Sequence, residues 1–241
     1  MTIYIISSDK SIHSIEALQY SINKYWKPNP KVIVLSYKQP KNFKLEDNVK
    51  VVSMGNDRGY DYVNENLVKY FSEIEDSHFI FSCDDFPLIR PVNIEIFETM
   101  KQKMITENIS RVAMNNHVEN KPHMTLETSR DYEIVEFSQS ANYRVSAIWS
   151  MWEKEYFLKY LRNTSNLWEW ELNPKQKYDG HRILGTIGKN IVQACHLFKK
   201  AKLKSNWFQD SESTDEAYDE DRLKIEEFLN KWKKEGVYQK I

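Results

Sequence analysis

Four short apolar runs punctuate the first 83 residues: IYIIS at 3–7, KVIVLS at 31–36, VKVVS at 49–53 and HFIFSC at 78–83. Each is rich in β-branched or aromatic residues and too short for a buried helix, so each reads as a strand. Between them lie two stretches of helical periodicity. One starts at Ser11 or His13 and runs to Trp26, where Lys27-Pro28-Asn29-Pro30 stops it; the other covers about 61–75. Strands alternating with helices predict an α/β fold, a mostly parallel sheet flanked by helices. Ligands on such sheets bind beyond the carboxyl ends of the strands. Asp9, the 54–59 loop and Asp84-Asp85 all follow strands and are expected to converge there.

Downstream, the pattern predicts a helix over 93–107, a strand over 111–114, strands over 132–137 and 144–149, a helix over 152–161 and a short strand over 190–196. The tail, about 215–234, reads as a helix. Its acids come early (Asp215, Glu216, Asp219, Glu220, Asp221) and Lys231, Lys233 and Lys234 come late, as the helix macrodipole favours. No internal repeat or low-complexity linker interrupts the chain, so a single domain is expected.

Composition removes several function classes. With only 6 glycines there is no G-x-G-x-x-G and no G-x-x-x-x-G-K-[ST], which argues against dinucleotide and P-loop chemistry. A net charge of −1 does not mark a strongly basic nucleic-acid binder, though a local patch would suffice. Cys83 and Cys195 lie far apart, which implies a reducing compartment rather than a disulfide scaffold. The opening MTIYIISSDK turns polar too soon for a signal peptide, and no apolar run reaches the roughly 18 residues of a membrane span. A cytoplasmic protein is expected.

The fourth run leads straight into Asp84-Asp85-Phe86-Pro87. Adjacent carboxylates repel unless something positive offsets them. A helix cap or turn would use them, since Asp suits caps and Pro87 suits turns. A hard divalent cation would also, because Mg2+ and Mn2+ take oxygen ligands and are commonly held by one or two carboxylates plus substrate phosphates. In the 54–59 loop, Arg58 offers a planar fork suited to phosphate, Gly55 and Gly59 permit close backbone approach, and Asp57 sits beside them. Asn64 and Glu65 follow on the next helix, within reach of a ribose or base. A solvated loop explains the same residues.

Ser82-Cys83-Asp84-Asp85, at the end of a strand after a β-α-β half, resembles the acid motif of the GT-A glycosyltransferases. YRVSAIWSMWEKEYFLKYL followed by NLWEWEL, within residues 142–172, is similar to the W-x-x-E region of small bacterial and phage sugar transferases. The resemblance implies a single GT-A-like domain, with a nucleotide-sugar half at 1–90, an acceptor half at 91–205 and a helical tail at 206–241. It implies Mn2+ or Mg2+ on Asp84 and Asp85, and Ser7, Ser8 and Asp9 beside the base and ribose of a nucleotide-sugar donor, a UDP-sugar foremost. Asp84 would also face the donor. A third metal ligand would come from a downstream histidine, His196 or His181. Glu171 occupies the motif's acid position and is the expected general base, with Glu169 as competitor. Trp149, Trp168 and Trp170 are the candidate flat faces for the acceptor. In W-E-W-E the alternation also fits a half-exposed strand, with the tryptophans as anchors.

His78 reads as structural, and His117 and His123 lie in a polar loop; no paired Cys/His spacing suggests zinc. Lys199, Lys200, Lys202 and Lys204, followed by Trp207 and Phe208, form a basic–aromatic stretch that would suit an anionic glycan, a nucleic-acid backbone or a membrane surface, or simply face water. The acceptor is then a surface glycan or a hydroxymethylated base in phage DNA, which would have to be flipped out. A nucleotidyltransferase of similar fold is the alternative, although its usual Gly-rich first loop is SSDKSIH here; a non-catalytic binding module is the third.

Overall fold

The computed structural model describes residues 1–115, 121–199, 202–203 and 216–236. The expectations placed on His117, Lys200, Lys204, Trp207, Phe208 and Asp215 lie outside the described residues, as do those on the side chains of Lys199, Lys202, Glu216, Asp219 and Asp221.

In chain order the elements are β1 (Ile3–Ile6), α1 (Ile15–Tyr25), β2 (Val32–Ser36), β3 (Val49–Ser53), α2 (Val63–Glu73), β4 (His78–Cys83) and α3 (Ile94–Thr106). They continue with β5 (Arg111–Ala113), β6 (His123–Thr128), β7 (Tyr132–Phe137), β8 (Ser150–Glu153), α4 (Lys154–Leu161) and α5 (Leu167–Leu172). Last come β9 (Ile183–Gly188), β10 (Phe198–Lys199), β11 (Lys202–Leu203) and α6 (Glu216–Lys234). Nine strands form one sheet in the order β3-β2-β1-β4-β8-β5-β9-β7-β6. The expected parallel pairing holds for β2 with β3, and β5 also runs parallel to β9, a strand the sequence did not announce. β8 runs antiparallel to β4 and β5, and β7 to β9 and β6, so the sheet is mixed.

Two of the expected strands are absent. Residues 144–149 form an irregular loop, because its backbone N–H groups go to side chains: Val145 donates to Gln176 Oε1 at 3.0 Å and Ala147 to Glu171 Oε1 at 2.6 Å. The apolar strand begins only at Ser150. Residues 190–196 contribute a single bridge, Ala194 to Leu88, rather than a strand. Among the described residues no helix is long and apolar enough to cross a membrane, and no disulfide links Cys83 to Cys195.

The chain packs as two compact, sequence-interleaved units. Unit one holds residues 1–4, 54–82 and 93–192. Its core is aromatic: Phe71 stacks on Phe79 at 4.6 Å, and Phe157 and Trp170 meet edge to face at 5.2 Å. Contacts of this kind are worth about 0.5–1.5 kcal/mol each beyond the burial of area. Asn93 caps α3 by accepting the Ile96 N–H at 3.2 Å. Gly188 closes the β7–β9 register at φ +86°, where a Cβ would meet the Asp131 carbonyl at 2.7 Å.

Unit two holds residues 5–53, 83–92 and 193–241. Here α6 packs on α1 through Ile225, Leu229 and Trp232 against Ala17, Ile89 and Leu197. Glu16 on α1 receives Lys231 Nζ at 2.6 Å and Trp232 Nε1–H at 2.9 Å. That explains why an α-helix with so many charges still docks: its few apolar side chains share one face.

Candidate functional site

Unit two carries the acid cluster. β1 ends at Ile6, whose carbonyl accepts the Asp84 N–H at 3.2 Å, so the carboxyl ends of β1 and β4 lie side by side. Asp84 is only 6 % exposed, and Ser7 Oγ–H donates to its Oδ2 at 2.5 Å. Ser11 and Ser14 lie in the turn that opens α1, where Ser11 Oγ pairs with Ser8 Oγ at 2.8 Å and Ser14 Oγ–H donates to the Ser11 carbonyl. Burial, and then the charge of Asp85, push the Asp84 carboxyl up to about 7 against the opposing pull of these three serines. A carboxylate so placed calls for a positive partner.

Asp85 is the outer acid of the pair. The segment 85–89 runs antiparallel to 193–197: Ile89 N–H donates to the Gln193 carbonyl at 2.9 Å, Cys195 N–H to Pro87 at 3.1 Å and Leu197 N–H to Asp85 at 2.9 Å. This pairing delivers His196, whose Nε2 lies 3.1 Å from Asp85 Oδ2 while its ring stacks on Phe86 at 4.3 Å. Asp84 and Asp85 bring carboxylate oxygens, the donors that Mg2+ and Mn2+ prefer, and His196 a borderline imidazole nitrogen. Among the described residues no group of three or more His, Cys, Asp or Glu side chains is arranged to hold a metal ion.

The remaining expected donor residues divide. Ser8 is exposed and pairs with Ser11, hydroxyl to hydroxyl, at 2.8 Å. Asp9 Oδ2 meets Lys38 Nζ at 2.8 Å. In unit one, Asp57 Oδ1 accepts the Gly59 N–H at 2.8 Å, an Asx turn that Gly59 completes at φ +97°. Arg58 lies over the Tyr62 ring at 4.4 Å and pairs with Glu65 at 2.7 Å, so its fork is exposed but already engaged. Asn64 does not fit a ribose or base contact. It is fully buried and donates to Thr164 Oγ1 at 2.9 Å, fastening α2 to the segment before α5.

Unit one also holds Glu171, on α5. Its Oε1 accepts the Ala147 N–H at 2.6 Å. Burial pushes its carboxyl above the usual carboxylate range, against hydrogen bonds from Ala147 and Ser146 and the charges of Arg111 and Lys121. Glu169 is placed differently: its Oε2 accepts the Ser165 N–H at 2.9 Å while Asn166 accepts the Glu169 N–H at 3.0 Å, the reciprocal bonding of a helix start. Trp149 and Trp170 are fully buried and pack as core, so they offer no face to an acceptor; Trp168 is 59 % exposed and does. His181 lies in this unit, with Nδ1 2.8 Å from Ser110 Oγ and its ring 4.5 Å from Tyr156.

Arginine and lysine residues around Glu171 carry no local motif and escape the sequence. Arg111 is buried and donates to Ser150 Oγ at 2.9 Å and to the Arg144 carbonyl at 2.8 Å. Arg144, also buried, donates to the Gln176 carbonyl at 2.8 Å and pairs with Asp179 at 3.1 Å. Asp179 in turn accepts Tyr160 OH at 2.7 Å. Burial would push the Asp179 carboxyl up, but Tyr160, the His181 N–H and the charge of Arg144 outweigh it and hold it below the usual range. Lys121, half-buried, completes the group.

Neither a protein-family model nor a curated protein matches the sequence. Among solved structures, the chain is similar to CMP:2-keto-3-deoxy-manno-octonic acid synthetase complexed with CTP, at 12% identity over 76% of this chain and 88% of that one, with a TM-score of 0.44. It is similar to S. aureus TarS 1-349 in complex with UDP-GlcNAc, at 12% identity over 95% of this chain and 66% of that one, with a TM-score of 0.49. It is also similar to the mannosyltransferase PcManGT from Pyrobaculum calidifontis in complex with GDP-Man and Mn2+, at 11% identity, 86% and 58% coverage and a TM-score of 0.49. The chain thus spans less than two thirds of the length of the latter two. These are distant likenesses of architecture, and they assign this chain neither substrate nor reaction.

Proposed function

We propose that this chain is a metal-dependent glycosyltransferase of GT-A type, moving a sugar from a nucleotide-diphosphate donor, a UDP-sugar foremost, to an acceptor hydroxyl. The observation that supports it most is the buried Asp84 under the hydroxyl of Ser7, with the half-buried Asp85 beside it and His196 3.1 Å from Asp85. A cap would not need a second acid and an imidazole delivered from 111 residues away.

In this reading Asp84 and Asp85 would hold a divalent cation, with His196 alongside. A cation held there would supply neutralisation of the diphosphate leaving group. Ser7 fixes the orientation of Asp84, and Ser8 and Asp9, at the end of β1, border the nucleoside. Glu171 takes the proton of the acceptor hydroxyl on Oε2, since Oε1 is engaged by Ala147. A carboxylate raised by burial is a better proton acceptor near neutral pH. The acceptor hydroxyl belongs to a surface glycan or to a hydroxymethylated base of DNA.

Thermal shift with UDP, GDP and CDP and with the corresponding triphosphates, each with and without Mn2+, tests this. One diphosphate should stabilise the protein only with the metal, and Asp85→Asn should lose that response. A response confined to nucleoside triphosphates would assign nucleotidyl transfer instead. No response in any condition would leave the acid pair a structural turn and the chain a binding module.

A further inference from the structure

One ammonium in unit one has few partners. Lys121 Nζ donates to the Tyr143 carbonyl at 3.4 Å and lies over the Phe137 and Tyr143 rings at 5.2 and 5.8 Å. An ammonium has three donors, and among the described residues no carboxylate pairs with this one. Arg111 behaves alike: its guanidinium lies over the Trp152 ring at 5.1 Å and its hydrogen bonds go to neutral oxygens, including the same Tyr143 carbonyl at 3.4 Å. Two cations thus converge on one carbonyl, with Glu171 as the acid that offsets them and Glu171 already tied to Ala147. Tyr143 holds φ at +54°, a left-handed conformation that a side chain pays for, and leaves its ring 41 % exposed. Burial and the charge of Arg111 push the Lys121 ammonium down to about 7, which marks it as short of negative charge.

We propose that Lys121, backed by Arg111, is an anion-recognition point that selects an acidic glycan, one carrying a phosphate or carboxylate near its reacting hydroxyl. It rests on Glu171 acting as the base, because the anion would dock where that carboxylate takes the proton. The favoured acceptor is a glycan rather than nucleic acid. A DNA backbone is gripped by several exposed cations in a row, whereas here one reachable ammonium sits beside the open face of Tyr143, which suits a sugar ring bearing a single charge.

Calorimetry on the whole chain with inorganic phosphate and with acetate, at matched ionic strength, tests it in wild type, Lys121→Met and Lys121→Arg. Wild type and Lys121→Arg should bind phosphate, and Lys121→Met should bind it about tenfold or more weakly, the loss of one charge-assisted hydrogen bond. The Mn2+-dependent diphosphate response, measured in parallel, should be equal in all three; its absence in wild type would sink the glycosyltransferase reading, while the phosphate titration still scores the anion site. With labelled donor, a uronic-acid-bearing oligosaccharide should outcompete its neutral counterpart in wild type and lose that advantage in Lys121→Met. Equal phosphate affinity in wild type and Lys121→Met, no phosphate binding in wild type, or competition by DNA stronger than by the acidic oligosaccharide would each overturn the proposal.

Discussion

The Arg144 guanidinium meets the Asp179 carboxylate at 3.1 Å with both side chains almost wholly out of water. Arg144 is also clasped by the carbonyls of Gln176, Ser138 and His181. The loop that follows it presents the Ala147 N–H to Glu171, so the ion pair sets where the candidate base can sit. Breaking such a pair strands a buried charge. Arg144→Met should destabilise the protein by about 3–5 kcal/mol, read as a lower urea midpoint. A loss under about 1 kcal/mol, the value of an exposed pair, would show that the clasp is not structural.

Glu171→Gln keeps the shape and the Ala147 contact but removes the proton acceptor. Transfer should fall by about 10²–10⁴-fold, with the metal-dependent diphosphate response intact. Loss of diphosphate binding in this variant would move Glu171 from base to donor contact. Glu169→Gln should leave transfer unchanged.

Asp84 carries a stability cost that its function would explain. Its carboxyl is raised by burial and by Asp85, so across the interval from 3.8 to about 7 the folded state binds a proton the unfolded state has lost. Stability from this group therefore falls as pH rises through that interval. Asp84→Asn removes the penalty and should raise the melting temperature of the metal-free protein at pH 7.5, while abolishing stabilisation by Mn2+ and diphosphate. A lower melting temperature would show that the serines more than compensate the burial.

Lys121 has the opposite sign. Its folded value is pushed from 10.5 down to about 7 by burial and the charge of Arg111, against the attraction of Glu171. Between those values the unfolded state holds the proton that the folded state releases, so stability rises with pH there. The melting temperature of wild type relative to Lys121→Met should climb from about pH 7 to pH 9.5. A flat difference would place the ammonium in water.

The strands were legible because β1, β2 and β4 are buried nearly throughout and so read as apolar runs. β6 was not: His123–Thr128 is an exposed edge strand with no apolar face to announce it. β9 was missed because Gly185 and Gly188 lower its apparent strand character. The W-E-W-E alternation suggested a strand where α5 forms, although Asn166 with Glu169 three residues later is a helix-start signal that the sequence carried. Of the site, Asp84 with Asp85 could be found locally, since a strand end displays them together. His196 beside Asp85 followed only from the family likeness, and Arg111, Arg144 and Lys121 from nothing local, because their roles depend on carbonyls that folding brings from elsewhere.

The hydrogen bonds joining 85–89 to 193–197 have a consequence for synthesis. While the ribosome has yet to release residues 193–197, Asp85 stands without the antiparallel segment and the His196 imidazole that fold against it, so the local surroundings of the acid pair are completed late in translation rather than growing with length.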